Sequence, residues 1–327
     1  ESSNGEDLPI VISGMASSSI GLRELPYAQL PFMLSGSSLY TEMIRSSVLN
    51  NPVYLISGVR SETDVIRGEE VQIIGLTDLV QNTEPCIYIL PGTHSKHLIC
   101  SKGHVLDFKT YMTGELFEAI ANNTILKNTL EHSQPSQQNM DGYKAGVLDA
   151  WNNDTLLNSL FKVRTNILLG NYTPTANYYY LSGLLIGEEL KSLKHLSNYQ
   201  INICASGIHS QLYLKALEVV NLVSKVIIVP GKVVDRSVVK GQLKVLKQEL
   251  FEQMPVICIM RNISMDDVNC IVPYYIKAGF TCLEITMNTP NACQIINQLS
   301  TAYPNMNIGA GTVCNMDDLK KALDANA

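Results

Sequence analysis

A chain of 327 residues, 46% hydrophobic and 17% charged, is too long for one average core and carries enough apolar material for two globular domains. Its formal net charge of -6, with no long run of Lys or Arg, argues against a nucleic-acid partner or an anionic membrane surface. No apolar run approaches the roughly 20 residues of a membrane span, and the eight scattered cysteines include no CxxC pair. These features predict reduced thiols, no zinc knuckle and a cytoplasmic protein.

In chain order, short apolar runs at Val11-Ile12-Ser13, Val53-Tyr54-Leu55-Ile56 and Ile87-Tyr88-Ile89-Leu90 predict strands, each bounded by turn-forming residues. Residues 97–112 read as a β-hairpin turning at Lys102-Gly103. The polar stretch 122–140 reads as a surface crossing between two halves of the first domain. A helix buries Leu181, Leu184, Leu185 and Leu190, with Glu188 and Glu189 on the intervening face. Strands at Ile201–Cys204 and Val226–Val229 follow, then a helix carrying Leu243, Leu246, Leu250 and Phe251. The alternation predicts α/β layers.

Beyond residue 250 the rhythm turns strictly repetitive. A strand at Pro255–Met260 precedes a helix with Val268, Ile271, Val272, Tyr275 and Ile276 on one face, stopped by Gly279. A strand at Cys282–Thr286 precedes a helix entered at Thr289-Pro290, and a strand at Asn307–Val313 precedes a terminal helix that runs on through Ala327. Three βα units in about 75 residues have the form of the opening of a (β/α)8 barrel. The first residue is Glu1 rather than Met and the last falls in a helix-like pattern, so both ends read as cut.

Four constellations carry chemistry. Strand Val11–Ser13 empties into Gly14-Met15-Ala16-Ser17-Ser18, small residues that admit a ligand or simply make a turn. Arg67-Gly68-Glu69-Glu70 sets a cation beside two carboxylates, able to bind a sugar acid and take a proton from its hydroxyl; the same residues suit a solvated helix N-terminus. Gly92-Thr93-His94-Ser95-Lys96 delivers backbone N–H groups, two hydroxyls, an imidazole and an ammonium into one turn, the equipment for holding a phosphoryl group, or else a polar hairpin loop. Thr113-Gly114-Glu115 stands as its companion at the next helix start. Cys204-Ala205-Ser206-Gly207 suits the face of a nucleobase and equally an ordinary strand end. No Walker A pattern occurs, which argues against a P-loop kinase.

The segments RGEEVQIIG, LPGTHSKH, FKTYMTGELF, LSGLLIGEEL and CASGIHSQLY, in this order, resemble the 2-keto-3-deoxygalactonate kinase family over about residues 8 to 250, within a kinase-like region 1–250. That resemblance implies a two-lobed, RNase H-like kinase of the sugar kinase, actin and Hsp70 type, lacking its first strands and their phosphate turn. It also implies phosphoryl transfer from ATP with Mg2+ to a small-molecule sugar acid. By position it gives phosphate or nucleotide contacts to Gly92, Thr93, His94, Ser95, Lys96 and Gly207, substrate contacts to Arg67, Thr113 and Glu115, and catalytic roles to Glu69 and Glu70.

Residues 251–327, through Met260-Arg261, LEITMNTP and GAGTV, resemble the first three strands of the class I keto-deoxy-phosphogluconate and galactonate aldolases. The resemblance makes Glu284 the proton shuttle and Arg261, Asn288 and Thr312 substrate contacts in an incomplete barrel of three βα units. The resemblance puts the Schiff-base lysine on a later strand that is absent; Lys277, Lys320 and Lys321 fall on helices and cannot replace it, so this part is expected to be inactive, without a cofactor. Homo-oligomerisation would run through the aldolase part when complete. The whole reads as a kinase fused to the aldolase that consumes its product; the competing reading is a non-catalytic sugar-acid binding fragment.

Overall fold

The computed structural model describes residues 9–45, 51–77, 85–153, 155–196, 198–223, 225–253 and 256–327, with 251–253 as backbone only. Glu1, Pro255 and the Phe251 side chain, used above, lie outside the described residues.

The run CIYIL at Cys86–Leu90 is buried at every position because both its faces are covered. Tyr88 and Leu90 pack into one core with Leu98, Cys100, Ile73 and Ile74, whereas Ile87 and Ile89 pack into a second with Ile201, Ile203, Tyr143 and Ala216. This strand is central to a six-stranded mixed sheet. The order is Val226–Ile228, Gln200–Ile203, Cys86–Leu90, Ser95–Ser101, His104–Tyr111 and Phe32–Met33. The first three strands run parallel, and the rest pair antiparallel. The predicted hairpin turns at Lys102 and Gly103, both with positive φ, as a two-residue turn matched to strand twist requires.

Ahead of this sheet lies a smaller one, Ile10–Ile12 parallel to Val53–Ile56, which is antiparallel to Thr41–Ile44. Helix Glu69–Thr77 crosses helix Gly231–Gln253 backbone to backbone. A Cβ on Gly75 would stand 1.8 Å from the Ser237 carbonyl oxygen, and one on Gly241 1.9 Å from that of Val71.

A second glycine seam joins helices Gln137–Asn152 and Pro174–Leu190. Cβ atoms on Gly146 and Gly183 would fall 2.1 Å from the carbonyl oxygens of Tyr180 and Tyr143 respectively, so no larger residue fits either helix there. This seam fixes where the end of Pro174–Leu190 meets the central sheet.

Strands Ile257–Met260, Cys282–Thr286 and Asn307–Gly311 form a parallel sheet, with helices Met265–Lys277, Ala292–Ala302 and Met316–Asp324 following them in turn. Met260, Leu283, Ile285 and Ile308 pack on those helices. The opposite face carries Ile257 and Ile259, both about half exposed, and Glu284. At its edge the Thr281 hydroxyl donates to the Leu250 carbonyl oxygen at 2.8 Å and the Asn307 amide to that of Lys247 at 2.6 Å, so this unit caps carbonyls of helix Gly231–Gln253.

Four expectations are corrected. Residues 122–140 do not cross between halves: they join helices Thr113–Asn123 and Gln137–Asn152, and Leu126, Thr129 and Asn139 are buried. Glu189 is 2% exposed rather than on a polar face, because Pro174–Leu190 is covered on nearly all sides and the carboxylate finds donors inside. Thr289-Pro290 does not start a helix: the Thr289 hydroxyl accepts from the Asn262 N–H at 3.1 Å, tying two strand ends together, and the helix begins at Ala292. The terminal helix ends at Asp324, followed by left-handed Asn326 at φ 64°, and does not run through Ala327.

Candidate active site

Strand Cys86–Leu90 ends in Pro91-Gly92-Thr93-His94 and returns as Ser95–Ser101, so the turn sits at the end of the most buried strand pair. The start of helix Thr113–Asn123 packs directly on it. The Glu115 N–H donates to the Thr93 carbonyl oxygen at 3.0 Å, and a Cβ on Gly114 would stand 2.6 Å from the Gly92 carbonyl oxygen. The two motifs singled out in the sequence are thus one structure.

Two cavities meet at this turn. The first, about 410 Å³, is lined by Glu69 and Gln72 from helix Glu69–Thr77, by Leu90 to His94 and Lys96, and by Cys204, Ala205, Ser206 and His209. Three of the four sequence constellations therefore face one cleft. The second, about 610 Å³, shares Gly92, Thr93 and His209 with the first and is otherwise walled by Thr113, Phe117, Tyr178, Tyr179, Ile208 and Tyr213 among others. One is a polar chamber; the other offers the aromatic and aliphatic walls that accept a flat ring.

In the polar chamber, Lys96 is 5% exposed and its Nζ lies 2.8 Å from Glu69 Oε1 while donating to the His94 carbonyl oxygen at 2.7 Å. His94 Nε2 lies 2.5 Å from Glu115 Oε2, with both side chains half exposed. Glu69 is the single carboxylate among the residues lining this chamber. Glu70 is fully buried and does not line it: both its oxygens accept from the Gly68 N–H, at 2.8 and 2.7 Å. Burial pushes the Glu70 carboxyl up to about 8, against the pull of those backbone bonds.

Arg67 is committed elsewhere. Its Nη1 donates to the Ser17 carbonyl oxygen and hydroxyl at 2.5 and 2.7 Å, and the guanidinium lies 4.2 Å from the centre of the Tyr27 ring, so it fastens the Gly14–Ser17 turn to the helix start. Ser95 also turns away from both cavities: its hydroxyl donates to Glu189 Oε1 at 2.7 Å. Gly207 opens helix Gly207–Val219 at φ 63°, beside Ser206 and the cleft.

Sequence reading missed Glu189, His97, His209 and Tyr213. Glu189 Oε2 accepts from the Thr113 hydroxyl at 2.5 Å and the Tyr213 hydroxyl at 2.8 Å, and His97 Nε2 lies 2.8 Å from Oε1. A usable signal existed: two adjacent glutamates in a helix otherwise apolar on all sides leave one of them inside.

Far from this cleft, Glu284 pairs in register with Ile259 and Gly309, and its carboxylate lies over Gly311, where a Cβ would stand 1.8 Å from Oε1. Arg261 follows the first of these strands, Asn288 the second and Thr312, at φ 54°, the third, so the strands' C-terminal ends gather all three with Glu284.

The mixed α/β architecture is that of a kinase relative. The family model of 2-keto-3-deoxy-galactonokinase matches residues 1–239, and that of KDPG and KHG aldolase matches residues 247–327. The chain belongs to the 2-keto-3-deoxy-galactonokinase family and is a fusion with a C-terminal aldolase-family segment. It is 32% identical over 199 residues to the 2-dehydro-3-deoxygalactonokinase of Escherichia coli (strain K12), covering 60% of this chain and 64% of that one, slightly under two thirds of the relative. A 36% identical match over 87 residues links it to the 2-dehydro-3-deoxy-phosphogluconate aldolase of Pseudoalteromonas atlantica, covering 26% of this chain and 39% of that one. A crystal structure of a protein described as a 2-dehydro-3-deoxygalactonokinase, from Sinorhizobium meliloti, superposes with a TM-score of 0.64 at 28% identity, covering 77% of this chain and 80% of the other. No helix among the described residues is long and apolar enough to cross a membrane.

Proposed function

We propose that residues 1–250 catalyse transfer of the γ-phosphoryl group of ATP to the terminal hydroxyl of 2-keto-3-deoxygalactonate, giving the 6-phosphate. The carrying observation is the pair of cavities that share the Gly92-Thr93 turn. The larger takes the nucleoside between Phe117, Tyr178 and Tyr179, and the polar one takes the sugar acid. The turn's backbone N–H groups, the Thr93 hydroxyl and Lys96 hold the phosphoryl group between them. The acceptor hydroxyl gives its proton to Glu69, its oxygen bonds to the γ-phosphorus, and the bridging oxygen leaves with ADP.

Among the described residues no group of three His, Cys, Asp or Glu could hold a metal ion. Mg2+ would be held by the triphosphate and its own waters and would neutralise phosphate charge, which leaves Glu69 to accept the proton. His94 with Glu115 closes the rim of the chamber. The strand order 226–228, 200–203, 86–90, 95–101, 104–111 supports reading this sheet as an RNase H-like lobe, with the smaller sheet as part of a second lobe.

Residues 251–327 are read as three βα units of a barrel, with Glu284 as the proton-shuttling carboxylate and Arg261, Asn288 and Thr312 as substrate contacts at the strands' C-terminal ends. Lys277, Lys320 and Lys321 sit on helices and no described strand of this part holds a lysine, so aldol cleavage is not assigned to these units.

The test is ADP release. With Mg-ATP and 2-keto-3-deoxygalactonate the chain forms one ADP per sugar acid, and phosphorus NMR shows a primary phosphate ester. Calorimetric binding of the sugar acid with no ADP formed would reduce the chain to a binding module.

A further inference from the structure

Glu189 lies in neither cavity, yet every donor it holds belongs to an element that builds them. Ser95 begins the strand leaving the phosphate turn and His97 continues it. Thr113 is the first residue of the helix that packs on Gly92, and Tyr213 lies on helix Gly207–Val219, whose start borders the polar chamber. Thr113 and Tyr213 are themselves walls of the larger cavity. One carboxylate, on the last turn of Pro174–Leu190, therefore ties together that helix, two others and the turn.

We propose that Glu189 is the positioning residue of the nucleotide cavity: by accepting from Ser95, Thr113 and Tyr213 together it holds the phosphate turn, the start of helix Thr113–Asn123 and the middle of helix Gly207–Val219 at the spacing a nucleoside triphosphate needs. This rests on the nucleotide reading of that cavity.

The chemistry of the hub demands a carboxylate. Three hydroxyls and an imidazole face its two oxygens, and a buried amide would turn an NH2 toward donors on one side. Burial alone would raise the Glu189 carboxyl, but the bonds and charge of His97 and the bonds of Thr113 and Ser95 outweigh it and hold it below the usual range. Among the described residues, Tyr143 and Tyr111 also face the Glu189 charge, Tyr111 together with Asp107 and Asp64, and Ser192 links to the network through a 3.4 Å contact with His97 Nδ1. The glycine seam under this helix leaves the hub little freedom to shift.

The experiment measures, by calorimetry on the full chain, the affinities of Mg-ATP and of 2-keto-3-deoxygalactonate for the unaltered protein, Glu189→Gln and Ser95→Ala. Ser95 borders neither cavity, so its variant keeps the test alive where Glu189→Gln does not fold. Mg-ATP affinity should fall at least tenfold in Glu189→Gln and about threefold in Ser95→Ala, with sugar-acid affinity within twofold. Equal losses for both ligands would show a merely structural role and overturn the proposal, as would unchanged Mg-ATP affinity in folded variants. An unaltered chain that binds no Mg-ATP would overturn the nucleotide reading itself, and the positioning role with it.

Discussion

Two pairs of neighbouring glutamates, Glu69-Glu70 and Glu188-Glu189, flank the cleft and are built alike. In each, the first residue meets a lysine, Lys96 or Lys191, and the second is buried. Their buried members diverge. Among the described residues Glu70 has only backbone N–H partners, and burial drives its carboxyl up to about 8. Glu189 is as deep, yet His97, Thr113 and Ser95 hold it below the usual range. Depth alone does not set the charge of an interior carboxyl; the supply of donors does. The proposed roles follow: Glu70 stabilises a helix start as a largely neutral acid, and Glu189 organises a site as an anion.

The harshest way to break this contrast is to push Glu189 out of register. Gly183→Ala places a methyl 2.1 Å from the Tyr143 carbonyl oxygen, so the seam must open. A loss of about 3 kcal/mol or more is expected in chemical denaturation.

Glu70→Gln probes the other pair through pH. The folded pKa of about 8 lies above the unfolded value of 4.5, so the folded state binds the extra proton between them. The stabilisation is fully present below pH 4.5 and is lost as pH rises through 8. Between those limits the wild-type protein's stability should fall with pH by up to a few kcal/mol, and Glu70→Gln should flatten that slope. Parallel melting-temperature profiles for the two proteins would refute the neutral assignment.

The smallest effect sharpens the comparison from its edge. Glu188 is about a third exposed and, among the described residues, bonds only to Lys191, which also donates to the Asn153 carbonyl oxygen. Glu188→Gln should therefore change stability by about 0.5 kcal/mol or less and leave Mg-ATP affinity unchanged. A tenfold affinity loss there would erase the distinction between the two members of the pair.

Much of the architecture was legible in local chemistry. CIYIL announces a strand covered on both faces, Lys102-Gly103 a tight hairpin, and Gly279 a helix stop, observed at φ 90°. These are decisions made within a few residues. The site was legible only as motifs. That GTHSK and MTGE share one turn, or that Glu69 reaches Lys96, depends on pairings between distant segments that no local pattern encodes. Ser95 and Arg67 show the converse: residues of the right chemistry in the right motif that the fold spends on internal partners. Two-residue strands such as Ala28–Gln29 left no periodicity to read.

The most direct test of the central claim is transfer of a labelled γ-phosphate from Mg-ATP to 2-keto-3-deoxygalactonate by the chain and by Lys96→Ala. Label is expected on the sugar acid with the unaltered chain and at least a hundredfold less with Lys96→Ala, while sugar-acid binding persists. Equal transfer by both would contradict the phosphate role of the GTHSK turn, and no transfer by either would contradict kinase activity in this chain.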